Sequence, residues 1–169
     1  MKFRVSVLVV LLAVAAPSFG ADVTSWQGKM LPKIKMSSIS GRSITNRTLR
    51  GKVIVIDFWA TWCPPCRKAS PIMQKMHVKY GKRGLVVIGA DVLEQVPANK
   101  LASTAKGYAK GHKYTYLFTF NNDALAKQLG ITGIPTMLIV DKRGRIAKVV
   151  VGYGAGLQGM LESTISKLL

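Results

Sequence analysis

The chain has 169 residues, 49% of them apolar, and its 25 Lys and Arg outweigh 7 Asp and Glu to give a net charge of +18. That length suits one ordinary domain, and the even mixture of aromatic, β-branched and glycine residues excludes a disordered or low-complexity chain. Two cysteines exclude a multi-bridge scaffold but allow one disulfide, a redox pair or half of a zinc site.

Lys2 and Arg4 precede an uncharged apolar run from Val5 to Ala16, and Pro17 ends it. Ser18-Phe19-Gly20 then places small residues three and one positions before a cut after Gly20, which predicts a secretory signal peptide over residues 1–20. A buried first strand or an uncleaved anchor is the alternative, but the run falls short of the ~20 residues that span a bilayer. No cysteine follows the run to carry a lipid. Cleavage removes Lys2 and Arg4, takes the charge from +18 to +16, and delivers the chain to the periplasm or outer cell envelope, where disulfides persist.

Residues 21–36 read as a basic, irregular lead-in, and Ser37–Ser40 and Ser43–Thr45 as a hairpin about Gly41-Arg42. Val53–Trp59 is a continuous run of strand formers, the mark of a strand buried on both faces. Pro64 and Pro65 suit a first helical turn, and apolar residues at 66, 69, 72, 73, 76 and 80 extend that helix, with Pro71 expected to kink it. Leu85–Ala90 predicts a second buried strand, and Ala98 to Ala109 an amphipathic helix ending near Gly111. Tyr114–Phe120 alternates weakly as a strand, and Asp123 is placed to cap a short helix that stops at Gly130. Thr136–Val140 and Ile146–Val151 flank a turn at Asp141–Gly144, and Leu157, Met160, Leu161, Thr164, Ile165 and Leu168 form a helical stripe. The order β-β-β-α-β-α-β-α-β-β-α predicts an α/β domain, a central sheet with helices on both faces.

Cys63-Pro64-Pro65-Cys66 joins the end of the first core strand to a helix start. There the free N–H groups and the dipole favour a Cys63 thiolate, which can attack a disulfide; Cys66 then resolves the mixed disulfide. A static disulfide is the bland alternative. A zinc site needs two more ligands, and His77 and His112 do not lie at finger-like spacing. Asp57 sits inside the apolar run six residues before Cys63; burial raises a carboxyl's pKa, so Asp57 is expected to be the base for Cys66 unless a lysine pairs with it. Met73, Met76 and His77 share a helix face and could suit copper(I), though a buried face is the simpler reading. The basic residues are dispersed, which fits a solvated face or steering toward an acidic partner or an anionic membrane surface. No nucleic-acid motif accompanies them.

Val53 to Arg67, with Trp62-Cys63-Pro64-Pro65-Cys66-Arg67 at its heart, resembles the active-site segment of the thioredoxin superfamily, and Gly133-Ile134-Pro135-Thr136 resembles that family's cis-proline loop. From Ser37 onward the chain is similar to the exported TlpA/ResA/DsbE-like branch. The resemblance implies a thioredoxin fold, a central mixed sheet flanked by helices, over residues 37–169, with an N-terminal β-hairpin and a mid-domain helical insert at 97–111. It implies a cis bond before Pro135, an Ile134 backbone free to pair with an extended substrate, and a substrate surface made with Trp62, Pro64 and Pro65. It gives Glu94 a part in proton transfer, and needs no cofactor beyond the Cys63–Cys66 disulfide. Trp59 is expected in the core. The chain departs from the branch in having Asp57 where a small amide is usual and Ala69 where an acid is common.

Together these features predict an exported thiol–disulfide oxidoreductase. The two prolines remove N–H groups from around Cys63 and no histidine separates the cysteines, which argues for a modest thiolate and a reducing pair. Relatives draw electrons from a membrane thiol transporter; the clients expected are apocytochrome c or copper-site thiols. The rivals are a copper metallochaperone or a non-catalytic redox-sensing module using the same cysteines, and, less well matched, a peroxidase.

Overall fold

A computed structural model describes residues 22–169. The expected signal peptide, residues 1–20, lies outside the described residues. The strands are β1 (Lys35–Ser38), β2 (Ser43–Thr45), β3 (Val53–Trp59), β4 (Leu85–Asp91), β5 (Leu117–Phe120), β6 (Thr136–Val140) and β7 (Ile146–Val151), and the helices are α1 (Pro64–Tyr80), α2 (Leu101–Gly111), α3 (Asp123–Leu129) and α4 (Leu157–Leu168). They follow the predicted order. One seven-stranded mixed sheet runs β2-β1-β5-β4-β3-β6-β7. β3 lies parallel to β4 and antiparallel to β6, and β4 lies parallel to β5.

All seven residues of β3 are buried. Side chains alternate across a strand, so Val53, Val55 and Trp59 join Met73, Met76, Leu161 and Ile165 in one core layer. Ile54, Ile56 and Phe58 join Ile88, Leu129 and Leu138 in the other. Asp57 shares the parity of Val55 and Trp59 and therefore faces the layer that also holds Cys66.

Several local expectations change. The lead-in carries a 3-10 turn at Val23–Trp26 and, though without helix or strand over residues 27–34, exchanges backbone hydrogen bonds with β7, Gly28 N–H to the Ile146 carbonyl and Ile146 N–H to the Lys29 carbonyl, each 2.8 Å. The hairpin's first strand starts at Lys35 rather than Ser37. Pro71 lies inside α1, which runs unbroken from Pro64 to Tyr80. β5 is confined to Leu117–Phe120. The N-cap of α3 is Asn122, and Asp123 is its first residue.

Gly89, in β4, lies opposite Asp57 on one side and Phe118 on the other. A Cβ there would stand 3.0 Å from Trp59 Nε1 and 3.2 Å from the Phe118 ring, whose rings meet edge-on with centroids 5.4 Å apart. Gly89→Ala is expected to lower unfolding free energy by about 1–3 kcal/mol through overpacking, measured by urea denaturation of the oxidised protein.

Candidate active site

β3 carries the chain to one edge of the sheet, where Ala60–Trp62 turn into α1. Cys63 is the N-cap of α1, in an extended conformation, and its Sγ accepts a hydrogen bond from Cys66 N–H at 3.2 Å. Pro64 and Pro65 fill the first two helical positions and have no N–H to offer, so the sulfur receives little of the amide field that a helix start normally supplies. Cys63 and Cys66 form a disulfide. In this oxidised state Cys63 is only 2% exposed and Cys66 is fully buried. The covering element is the loop before β6. Its Ile134–Pro135 bond is cis, as the resemblance implied, and the Ile134 carbonyl oxygen lies 3.9 Å from Cys63 Sγ.

A second set of bonds fixes the turn that precedes Cys63. Thr61 donates to Glu94 twice, through N–H at 2.5 Å and through Oγ1 at 2.8 Å. Trp62 Nε1 donates to the Leu93 carbonyl at 2.8 Å. Leu93 N–H donates to Asp123 Oδ1, also at 2.8 Å, so that carboxylate anchors this loop instead of capping α3. Leu93 has φ +56°, a left-handed backbone that an apolar residue rarely adopts without such restraint. Glu94 thus reaches the site through Thr61, holding the turn before Cys63.

Asp57 has no exposed surface and neither carboxyl oxygen has a partner among the described residues. Among the described residues no lysine pairs with it, and the ion pair found there joins Lys79 and Glu162. Burial pushes the Asp57 pKa up to about 7. Near it stands a group of hydroxyls. Tyr108 donates to Ser70 Oγ at 3.2 Å, and Ser70 donates to the Cys66 carbonyl at 3.1 Å. The Asp57 charge raises the pKa of both Tyr108 and Tyr116, after the larger effect of burial. Tyr108 comes from the inserted helix α2, which therefore roofs the buried acid.

Asp91 escaped the sequence reading. It ends β4 opposite Trp59, it is buried, and its carboxyl oxygens also lack partners. Burial first, then the neighbouring Glu94 and Asp123 carboxylates, push its pKa up to about 9, so it is neutral at pH 7. The signal was available: an acid closing an apolar strand stands at the carboxyl edge of a parallel pair, where α/β sheets place their sites.

The remaining expectations divide clearly. Trp59 is core, while Trp62 is 44% exposed. Met73 and Met76 are fully buried in the layer beneath α1, and burial lowers the His77 pKa; the copper face is a packing face. Trp62, Leu93, Val151 and Tyr153 are large exposed apolar residues. Trp62 is bonded to Leu93, and Val151 pairs with Thr136 while Gly152 N–H donates to the Pro135 carbonyl at 2.7 Å. They form an apolar rim on either side of Cys63 and the cis-proline loop. Pro64 and Pro65 begin α1 within that rim.

The raised Asp57 pKa has a definite sign in stability. As pH rises from 4 to 7 the unfolded chain gives up this proton while the folded chain keeps it, so stability falls across that window. Asp57→Asn removes the loss. The oxidised variant is expected to be more stable than wild type by about 2–4 kcal/mol at pH 7.5, and the gain should vanish near pH 4, in paired denaturation curves.

The sequence pattern of the Redoxin family matches residues 26–163. Thiol-disulfide oxidoreductase ResA of Bacillus anthracis is 29% identical over 158 residues, covering 89% of this chain and 87% of that protein. Thioredoxin-like protein YneN of Bacillus subtilis (strain 168) is 26% identical, covering 78% of this chain and 75% of the relative. A thiol:disulfide interchange protein of the thioredoxin family from Chlorobium tepidum superposes with a TM-score of 0.71 at 26% identity, covering 84% of this chain and 97% of that structure. With a disulfide at a helix start, facing a cis-proline loop on a mixed sheet, the chain belongs to the Redoxin family and is a thiol–disulfide oxidoreductase of the ResA/DsbE-like type.

Proposed function

We propose that the chain is an exported reductase of protein disulfides. The observation that carries this reading is the bare surrounding of Cys63: one amide at its sulfur and two prolines beside it. An oxidant of this fold needs a strongly stabilised thiolate; here little stabilises it, which favours a reducing pair. In the reduced enzyme the Cys63 thiolate attacks one sulfur of a client disulfide, forming a mixed disulfide and releasing a client thiolate. Cys66 gives its proton to the Asp57 carboxylate. The Cys66 thiolate then attacks Cys63 Sγ, releasing the second client thiolate and closing Cys63–Cys66. Two electrons pass to the client and two oxidised sulfurs remain on the enzyme.

Asp57 suits the base because burial poises it near neutrality and its strand parity turns it toward the layer of Cys66. Glu94 serves this step by holding Thr61, and so Trp62 and Cys63, in register. The Ile134 carbonyl and the apolar rim suit an extended client segment with apolar residues beside its cysteine. Apocytochrome c and copper-site thiols are the client classes expected, with a membrane thiol transporter as the electron donor. The basic start, the apolar run and the Ser18-Phe19-Gly20 site support export and release from Ala21.

Two measurements check this. The midpoint in dithiothreitol redox buffers should lie below about −200 mV, toward thioredoxin and away from the roughly −120 mV of a strong oxidant; a value near the latter would overturn the reductase reading. In stopped-flow assays Asp57→Asn should slow mixed-disulfide resolution about tenfold or more while the first attack stays near wild type. Cys66→Ser, unable to resolve, should accumulate mixed disulfides in cells, and mass spectrometry of the attached proteins identifies the clients.

A further inference from the structure

Two buried groups of opposite hydrogen-bonding sense share one face of β3. Among the described residues the Trp59 indole N–H is a donor without an acceptor, and both Asp57 carboxyl oxygens are acceptors without a donor. Both side chains are enclosed, Trp59 at 1% exposure and Asp57 at 0%. Leaving one buried polar group unpaired is costly and uncommon. Here a donor and an acceptor are both left unpaired, two positions apart in the same strand and therefore on the same side of the sheet.

Gly89 brings the two together. It stands beside Asp57 in the parallel β3–β4 pair, so the point where its Cβ would stand is level with the Asp57 side chain, one strand spacing of ~4.8 Å away. Trp59 Nε1 lies 3.0 Å from that same point. The indole thus leans away from Asp91, its own register partner, and sets its N–H edge over Gly89. Glycine puts no side chain between the nitrogen and the carboxyl. Phe118, paired with Gly89 on its other side, meets the indole edge-on, and Tyr108 packs on it with ring centroids 4.5 Å apart. The other neighbours of Asp57 are apolar or engaged. β6 sets Met137 beside it, and α4 brings Leu161 and Ile165 to the same layer. On α1, Cys66 is in the disulfide and the Ser70 hydroxyl donates to the Cys66 carbonyl. Tyr108 of α2 donates to Ser70, and the Arg67 charge acts on Tyr108. Tyr116, ahead of β5, is the other phenol that feels the Asp57 charge.

We propose that the Trp59 indole N–H is the internal donor to the Asp57 carboxylate: the carboxyl turns to it on losing a proton and leaves it on gaining one. Trp59 is then a positioning residue for the resolving step. In the mixed disulfide, Cys66 S–H gives its proton to the Asp57 carboxylate, the indole bond lets go, and the Cys66 thiolate attacks Cys63 Sγ. Asp57 later returns the proton to water and takes the indole bond again. The use of this bond in resolution rests on Asp57 being the base; the bond itself does not. A donor to the charged form of an acid favours that form. The N–H therefore keeps a share of Asp57 ionised at a pH where burial alone would hold it neutral.

The oxidised protein isolates the pair, because its cysteines carry no proton. The test is an NMR titration, from about pH 5 to 10, of the indole N–H signals and the Asp57 carboxyl carbon. The Trp59 signal, identified by its contacts to the Phe118 ring, should move downfield as Asp57 ionises. Its midpoint should match that of the carboxyl carbon, at or below about 7. The movement should vanish in Asp57→Asn and persist in Asp91→Asn. In Trp59→Phe the Asp57 midpoint should rise by about one pH unit. A purely structural role predicts the opposite sign, since looser packing admits water and lowers it. Tyr116→Phe should shift it by less than about 0.3. Mixed-disulfide resolution by Trp59→Phe should fall about fivefold or more near pH 6 and approach the wild-type rate by about pH 9. An indole signal that stays flat while the Asp57 carbon titrates would overturn the proposal and leave the base reading intact. A signal that titrates near pH 9 and is lost in Asp91→Asn would give the N–H to Asp91 instead. A midpoint that moves in Tyr116→Phe and not in Trp59→Phe would give the carboxylate to the phenol, again overturning it. If the titrations behave as expected but Asp57→Asn resolves mixed disulfides at the wild-type rate, the bond stands and the base reading fails. Should Trp59→Phe not fold, the wild-type and Asp57→Asn titrations decide alone.

Discussion

Everything in this molecule hangs on β3 being enclosed in all four directions. Hydrogen bonding to β4 on one edge and β6 on the other satisfies its peptide groups, and two core layers bury its seven side chains. A segment so confined cannot shift by a residue without turning a whole face outward. Its carboxyl end is consequently a fixed point. Parallel pairing delivers the end of β4, with Asp91 and the Leu93–Glu94 loop, to that point; antiparallel pairing delivers the start of β6, with Ile134 and Pro135. The active site is assembled from three chain segments distant in sequence because one strand dictates where all of them meet.

The same enclosure generates the chemistry. A carboxyl group in the middle of a buried strand is costly when ionised, and among the described residues neither a cation nor a hydrogen bond relieves Asp57. The result is an acid whose proton is held loosely enough to move near neutral pH. Asp91, a short distance along the neighbouring strand, is pushed further by the two carboxylates beside it. Two acids with similar burial are thereby sorted: one exchanges a proton in the working range, the other keeps it. Cys63 receives the complementary treatment. The prolines that start α1 leave its sulfur one amide donor, the Cys66 N–H.

The sequence made some of this plain and concealed the rest for identifiable reasons. Continuous apolar strands, the CxxC at a strand–helix junction and the Gly133–Thr136 loop are local patterns, and each was found where local pattern placed it. Asp57 was readable because a single acid interrupts an apolar run. Asp91 was missed because it stands at a strand's end, where an acid looks like ordinary loop polarity until Glu94 and Asp123 are seen folded against it. Tyr108 and Ser70 are joined across 38 positions, a pairing that no periodicity encodes. The shielding of Cys63 is not legible in the sequence because the covering Ile134 arrives from 71 residues away. The lead-in looked formless because its order comes from β7, which it meets more than a hundred residues later.

That contact has a consequence for handling the protein. β7 ends the sheet with Val149, Val150 and Val151 in sequence, and among the described residues β6 is the one strand paired with it. An uncovered valine-rich edge is a template on which a second copy can add a strand. Residues 27–30 occupy part of that edge, by backbone bonds at Ile146 and through the Gln27 side chain to Val149 N–H. The first segment of the folded domain is thus a guard against self-association. Trimming the chain for expression to begin at the hairpin would leave every catalytic group in place and uncover an adhesive margin.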